Sequence, residues 1–204
     1  MHWPEYFEEQ FELTHSQIRV LTVACIDHAL SELYDVLNGE LQAEFLNDAI
    51  RIVDCQWKLA RDAKVSKAIT EELYRQLTFM VGLHMGHGEP NKKWKFLFRA
   101  LELNFQFLLE KRRETDLATV IISDALEAVT GHLFDRAIST KQFEYPKVKG
   151  PEAGIIRSRA AHEFSMNCKE IQGEVSFQQE CAAKLARGGR ITRSRPKEWY
   201  VRES

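Results

Sequence analysis

Two arginines, a histidine and an aromatic residue stand close together late in the chain. The stretch Gly154–Phe164 places Arg157 five positions before His162, with Arg159 between them and Phe164 two positions after the histidine. An imidazole can exchange protons near neutral pH, and a guanidinium binds phosphate through a fixed fork of donors. This is the one stretch of the sequence whose residue types suggest a specific chemistry.

This pattern resembles the R-x4-H-x-Y signature of the HEPN family, which opens the third helix of a four-helix bundle; here Phe164 stands where tyrosine is usual. The resemblance implies metal-independent cleavage of RNA. His162 would act as general acid or base, Arg157 would stabilise charge on the phosphate, and Arg159 would hold the backbone nearby. A homodimer that pairs two motifs is implied too, and some members of the family only bind. The alternative interpretation is a surface helix with ordinary basic residues and a partly buried histidine.

The C-terminal tail is a second candidate for contact with nucleic acid. Between Cys181 and Lys197 there is no acidic residue, and the cations are Lys184, Arg187, Arg190, Arg193, Arg195 and Lys197. The run Arg187-Gly188-Gly189-Arg190 resembles the Arg-Gly-Gly pieces of RNA-binding tails, in which arginine pairs with phosphate. Trp199 and Tyr200 suit stacking on unpaired bases. The alternative is a solvated tail that packs these two rings onto the protein.

The composition is that of a globular protein with no recognisable cofactor motif. The 204 residues are 44% apolar and 28% charged, enough for one large domain or two small ones. A net charge of −2 predicts no general attraction to nucleic acid or membrane, so local charge must supply any binding. We find no P-loop, Rossmann fingerprint or G-x-S-x-G motif, and we expect no cofactor.

Cysteine and histidine spacing gives no metal site. The four cysteines, Cys25, Cys55, Cys168 and Cys181, lack C-x2-C spacing and are expected to be reduced. His84 and His87 have metal-like spacing, but two ligands do not make a site. The N-terminus has no signal-peptide pattern, and no stretch of about 18 uninterrupted apolar residues exists. We therefore expect a cytoplasmic protein with no membrane contact.

Helical periodicity predicts an all-α bundle of about seven helices with an extended basic tail. The predicted helices run from Thr14 or Ser16 to about Leu37, from about 40 to 63, from Ser66 to the turn at 86–91, and from Trp94 to a stop at Lys111-Arg112-Arg113. Three more run from Thr115 or Asp116, from the motif to about Gln172, and from a break at Gly173 to Leu185. Asn38-Gly39 and Gly188-Gly189 are expected stops. We expect an N-terminal part (1–91), a four-helix part bearing the motif (92–186) and the tail (187–204), with a single domain as the alternative.

Two classes of function remain open. One is a nucleic-acid-binding protein, with RNA favoured over DNA, extending to a HEPN-like ribonuclease. The other is a non-enzymatic adaptor or accessory subunit that binds a protein partner through residues 94–109 and the acidic segment 5–12. The ribonuclease hypothesis predicts that Arg157 and His162 converge on an exposed cleft at a two-fold interface.

Overall fold

The protein is an all-α bundle, as its sequence predicts. The computed structural model describes residues 12–40, 43–86, 94–110 and 115–193. These ranges contain eight helices and no strand: α1 His15–Glu32, α2 Tyr34–Glu40, α3 Ala43–Ala60, α4 Lys67–Gly86, α5 Trp94–Glu110, α6 Thr115–Ser139, α7 Ala153–Asn167 and α8 Lys169–Ala186.

Helix α1 runs through the centre of the bundle. Thr14 caps its start: the Thr14 hydroxyl accepts a hydrogen bond from the Gln17 N–H, and the Gln17 side chain accepts one from the Thr14 N–H at 2.7 Å. Every residue from Leu21 to Asp27 is buried. The helix packs against α3, α5, α6 and α8, so protein surrounds it over most of its length.

Helix α5 is also central, as its broad apolar circumference predicts. It packs against α1, α3, α4 and α6, and Leu97, Phe98, Leu101 and Phe105 are almost completely buried. Most of the described apolar side chains of 94–109 are therefore occupied by the protein's own core. Leu109 is 43% exposed, and the segment does not offer the broad docking surface that an adaptor function would need. Of the acidic segment 5–12, all but Glu12 lies outside the described residues.

One hydrophobic core joins the predicted N-terminal and four-helix parts. Its buried residues come from α1, α3 and α4 on one side and from α5, α6 and α8 on the other. A buried polar pair also crosses between them: Gln56 Nε2 donates to the Leu101 carbonyl at 2.7 Å, and Asn104 Nδ2 donates to Gln56 Oε1 at 2.8 Å. Because these amides are fully buried, their mutual hydrogen bonds fix how the helices pack.

Two glycines that were predicted to end helices lie inside them instead. Asn38-Gly39 is within α2, and the chain breaks earlier, at Leu33. Gly173 is within α8, and the motif helix ends before it at Cys168, whose backbone is extended. A glycine inside a helix costs about 1 kcal/mol. Burial of apolar residues along α8 outweighs that cost.

Helix α6 is the most apolar long helix in the described ranges. Residues Asp116–Ser139 have the length and composition of a membrane-spanning helix, and half of their most apolar window is buried inside the protein. The helix packs against α1, α5 and α8. A helix that is apolar around most of its circumference must be covered by other apolar groups, and in this protein the neighbouring helices cover α6.

Candidate functional site

The motif helix α7 is held to the rest of the protein by aromatic rings. None of its residues is buried. Its Phe164 ring lies 4.9 Å from Phe143 and 5.8 Å from Phe134, measured between ring centroids, and Tyr145 lies 5.1 Å from Phe143. This aromatic cluster (Phe134, Phe143, Tyr145 and Phe164) fastens α7 and the loop before it to the end of α6. The aromatic position of the sequence motif therefore serves as an anchor for the helix.

His162 is exposed and lies on the wall of a cleft of about 360 Å³. The cleft lies between α6, the second half of α7 and the start of α8. Its wall includes Glu127 and Thr130 from α6, His162 and Met166 from α7, and Ile171 and Gln172 from α8. Arg159 precedes His162 by about one helical turn and is also exposed. The structure thus brings His162 to an accessible concave surface.

Arg157 does not share this cleft within one chain. Its guanidinium is exposed, and its Nη2 donates to the Val148 carbonyl at 3.2 Å, in the loop before α7. Five positions along a helix correspond to a rotation of about 140°, so Arg157 and His162 project from different sides of α7. The predicted convergence of these two side chains is not observed in a single copy of the protein.

Two hydroxyl groups of the cleft already donate hydrogen bonds within the protein. Thr130 Oγ1 donates to the Leu126 carbonyl at 2.9 Å, and Ser165 Oγ donates to the Ala161 carbonyl at 2.9 Å. Each hydroxyl has one proton, so these two oxygens can only accept further hydrogen bonds while those contacts last.

The Gln172 side-chain amide of the cleft also donates a hydrogen bond within the protein. Gln172 Nε2 donates to the Ser165 carbonyl at 2.9 Å, which leaves the Gln172 Oε1 atom as an acceptor. The Glu127 carboxylate is exposed at the same cleft and accepts hydrogen bonds when ionised. A ligand here would therefore meet the Glu127 carboxylate as a strong acceptor, while the second Gln172 amide proton and the Ser123 hydroxyl can still donate.

The Arg-Gly-Gly resemblance has a structural explanation in the cap that ends α8. Gly188 has φ +76°, and its N–H donates to the Leu185 carbonyl at 2.8 Å. The Gly189 N–H donates to the Lys184 carbonyl at 2.8 Å, and a Cβ at Gly189 would lie 2.8 Å from that same oxygen. Gly188 is thus favoured by its left-handed backbone and Gly189 by its close approach to Lys184, in a turn of the kind that ends many helices.

The tail cations are distributed between the protein interior and solvent. Arg187 Nε donates to the Ala183 carbonyl at 3.1 Å, and Arg190 is exposed. Arg193 forms an ion pair with Asp54, and its Nε lies 3.9 Å from Asp27 Oδ2. Arg193 is therefore used within the fold, whereas Arg190 faces solvent.

The remaining tail predictions concern residues outside the described ranges. These residues are Arg195, Lys197, Trp199 and Tyr200.

Metal and thiol chemistry find no support in the described ranges. No group of three or more His, Cys, Asp or Glu side chains there could hold a metal ion, and the His84 side chain and His87 lie outside them. Burial raises the pKa of the Cys25 thiol, and it raises the pKa of Cys181 to about 11. The raised pKa disfavours the reactive thiolate at these two positions near neutral pH.

Sequence reasoning missed Glu127, Gln172 and the pair Lys147 and Lys149. Both lysines are exposed and flank Val148, to which Arg157 is hydrogen-bonded, so three cations come together at the start of α7. Two lysines separated by one residue in a proline-containing loop were the available signal for this group. Glu127 and Gln172 gave no signal, because each is an ordinary polar position on a helix until the three helices assemble.

Comparison with protein-family models, with curated proteins and with solved structures finds no match for this chain.

Proposed function

We propose that this protein binds single-stranded nucleic acid, RNA in preference to DNA, on the exposed surface of α7 and the loop before it. One observation carries the proposal: none of the residues of α7 is buried, and its Arg157, Arg159 and His162 side chains are exposed to solvent. A helix that contributes little to the core is free to present these groups to a partner. Arginine and lysine side chains bind phosphate, and such contacts supply most of the affinity of non-specific nucleic-acid binding.

The preference for single strands rests on an exposed aromatic ring that lies beside cations in this surface. The Tyr145 residue is 44% exposed and lies close in sequence to Lys147 and Lys149. Exposed rings beside cations bind unpaired nucleotides, because bases stack on the ring while the cations hold the phosphates. Glu144, Glu152 and Glu163 are also exposed in this region. We therefore expect modest affinity with a clear salt dependence.

Binding is tested by fluorescence anisotropy with a labelled, unstructured RNA of about 20 nucleotides over a series of salt concentrations. The variants are K147A/K149A and Arg159→Ala, and the matched control is Arg75→Ala, an exposed arginine on α4. Loss of each phosphate contact should weaken binding and reduce the salt slope by about 0.7. Equal affinity of the wild type and the three variants for RNA, or no affinity in any of them, rejects the proposal.

Cleavage of the bound RNA is a second candidate function, and the geometry gives it a specific form. His162 is at the cleft and Arg157 is directed elsewhere, so an active pair would combine His162 of one copy with Arg157 of another. This form requires a homodimer. An imidazole at the cleft would move the proton, and the guanidinium would stabilise charge on the phosphate.

The cleavage candidate is tested in EDTA with the wild type, His162→Ala, Arg157→Ala and an equal mixture of the two variants. Each single variant should be inactive. The mixture should regain partial activity, because a mixed dimer contains one intact His162–Arg157 pair. Absence of cleavage by the wild type removes this candidate while leaving RNA binding open.

Protein docking is the competing function, and it too has a specific observation in its favour. Ile155 is 64% exposed and Met166 is 41% exposed, both on α7. Purification of tagged wild type and of an I155E/M166E variant, both after nuclease treatment, separates the two functions. A protein partner that resists nuclease and is lost from the variant favours the adaptor.

A further inference from the structure

We propose that the cleft between α6, α7 and α8 binds a single guanine base, with the Glu127 carboxylate accepting hydrogen bonds from it. This inference rests on the proposed function for its biological setting, since the guanine would belong to a bound single strand. The binding chemistry itself concerns only the cleft and can be measured separately.

The size and walls of the cleft suit one base. Its volume of about 360 Å³ is near the lower end of small-molecule sites, which span roughly 300–1,000 Å³. Leu126 and Ile171 form a buried apolar part of the wall, with Phe134, Val175 and Met166 beside them. A planar aromatic base can pack its faces against such side chains while its edge reaches polar groups.

The hydrogen-bonding atoms of the cleft that remain available to a ligand decide which base it prefers. The Thr130 and Ser165 hydroxyl protons are used on backbone carbonyls of α6 and α7, and a Gln172 amide proton is used on the Ser165 carbonyl. The second Gln172 amide proton, the Ser123 hydroxyl and the His162 ring can still donate, so the feature that distinguishes the cleft is the pair of acceptor oxygens on Glu127. The Glu127 carboxylate is exposed, so water satisfies it in the free protein, and a base must present donors to replace that water. A base that presents acceptors to the carboxylate would be repelled, so a base with donors is favoured.

Guanine is the base that meets this requirement best. Its Watson–Crick edge carries the N1–H and the N2 amino group side by side, and two adjacent donors can match the two oxygens of one carboxylate. Adenine and cytosine each offer one amino group next to a ring acceptor. Uracil offers one N–H between two carbonyl oxygens, which would face the acceptors of the cleft. We therefore expect guanine to bind most tightly and uracil most weakly.

In this proposal His162, on the same cleft wall, would contact the sugar and phosphate of the bound nucleotide. It is exposed on the wall, and Arg159 is exposed one helical turn before it. With the base held at Glu127, these two side chains would face the backbone of the strand. The cleft would therefore fix the register of the RNA relative to the motif.

The test measures binding of guanosine and uridine by ligand-observed NMR, and of UUUGUUU and UUUUUUU RNA by anisotropy, on the full chain. Glu127→Gln is the test variant, and Glu180→Gln, an exposed glutamate of α8 outside the cleft wall, is the matched control. Guanosine and the guanine-containing strand should bind about 10-fold or more tightly than their uridine counterparts. Glu127→Gln should abolish that preference and Glu180→Gln should keep it.

The other outcomes separate this inference from the proposed function. If both strands bind equally and guanosine does not bind, the guanine site is overturned while RNA binding stands. If guanosine binds through Glu127 and neither strand binds, the guanine site stands while RNA binding is overturned. If neither nucleosides nor strands bind, both proposals are overturned. An equal loss in both glutamate variants overturns the role given to Glu127.

Discussion

Arg193, near the C-terminal end of the described chain, reaches back to Asp27 in the middle of α1. Its Nε lies 3.9 Å from Asp27 Oδ2, and its guanidinium also pairs with Asp54. The Asp27 side chain is completely buried and accepts a hydrogen bond from Trp57 Nε1 at 3.1 Å. The carboxylate of a central helix is therefore neutralised by a residue that the sequence places in a basic tail.

Replacing Arg193 by alanine should destabilise the protein strongly, because it removes a cation from beside a buried carboxylate. Breaking a buried ion pair from one side costs about 3–5 kcal/mol. Arg193 is partly exposed, so we expect the lower end of that range. Urea unfolding followed by circular dichroism measures the change. Arg190→Ala, an exposed position in the same segment, should stay within about 0.5 kcal/mol of the wild type, and equal effects of the two variants would contradict the assignment.

Gly189 and Gly173 should respond in opposite directions to substitution by alanine. A Cβ at Gly189 would lie 2.7 Å from Lys184 Cγ and 2.8 Å from the Lys184 carbonyl oxygen, whereas a Cβ at Gly173 meets nothing within 4 Å. Gly189→Ala should therefore lower the free energy of unfolding. Gly173→Ala lies inside α8 and should raise it by about 0.5–1 kcal/mol. Differential scanning calorimetry of both variants checks the two signs, and stabilisation by Gly189→Ala would refute the cap geometry.

Much of the fold could be predicted because apolar periodicity reports directly on buried helix faces. The stripe of α5 was readable from sequence for that reason, and the capping residue types narrowed the start of α1 to Thr14 or Ser16, of which the structure uses Thr14. The break at Cys168 could not be predicted, since neither glycine nor proline marks it. Gly173 was misleading because glycine only weakens a helix, and the burial of Ile171 and Leu185 holds α8 together.

The candidate site was less predictable, because its members come from distant parts of the chain. The motif located His162, and its five-position spacing already places Arg157 about 140° away around the helix. The hydrogen bond from Arg157 to the Val148 carbonyl, by contrast, is encoded by no side-chain pattern. The role of Arg193 depends on Asp27, which lies 166 positions earlier. Pairings over such separations follow from tertiary packing, and local residue spacing does not report them.

Asp124 should make the stability of the protein fall as the pH rises. Burial raises the pKa of this carboxyl from 3.8 to about 6, and Arg99, whose Nε lies 2.8 Å from Oδ2, opposes that shift only in part. The folded state therefore holds the proton more tightly than the unfolded state does. Stability is highest below the unfolded pKa and declines as the pH passes through about 4 to 6, by about 2–3 kcal/mol in total.

The variant Asp124→Asn should remove this decline, because an amide keeps the shape of the protonated acid and does not ionise. Urea unfolding of the wild type and the variant at pH 4 and pH 7.5 gives the comparison. The variant should gain about 2–3 kcal/mol relative to the wild type between the two pH values. Asp135→Asn, an exposed position on the same helix, should show no such gain. A constant difference between wild type and Asp124→Asn would argue against the shifted pKa.

Phe164→Ala should loosen α7 without unfolding the core. Phe164 anchors the helix through Phe134 and Phe143, and α7 has no buried residue of its own to replace that contact. Aromatic pairs of this kind contribute about 0.5–1.5 kcal/mol each beyond the area they bury. Regions held by few contacts open locally before the whole protein unfolds.

Hydrogen exchange measured by mass spectrometry distinguishes local from global opening in this variant. Peptides from 153–167 should exchange faster in Phe164→Ala, while peptides from 94–110 in the core keep their protection. Ile155→Ala, a substitution at a residue that is 64% exposed on the same helix, should leave both regions unchanged. RNA affinity should fall together with the protection of α7, because Arg159 and His162 lose their fixed positions. Faster exchange throughout the protein would instead mean that Phe164 stabilises the whole bundle.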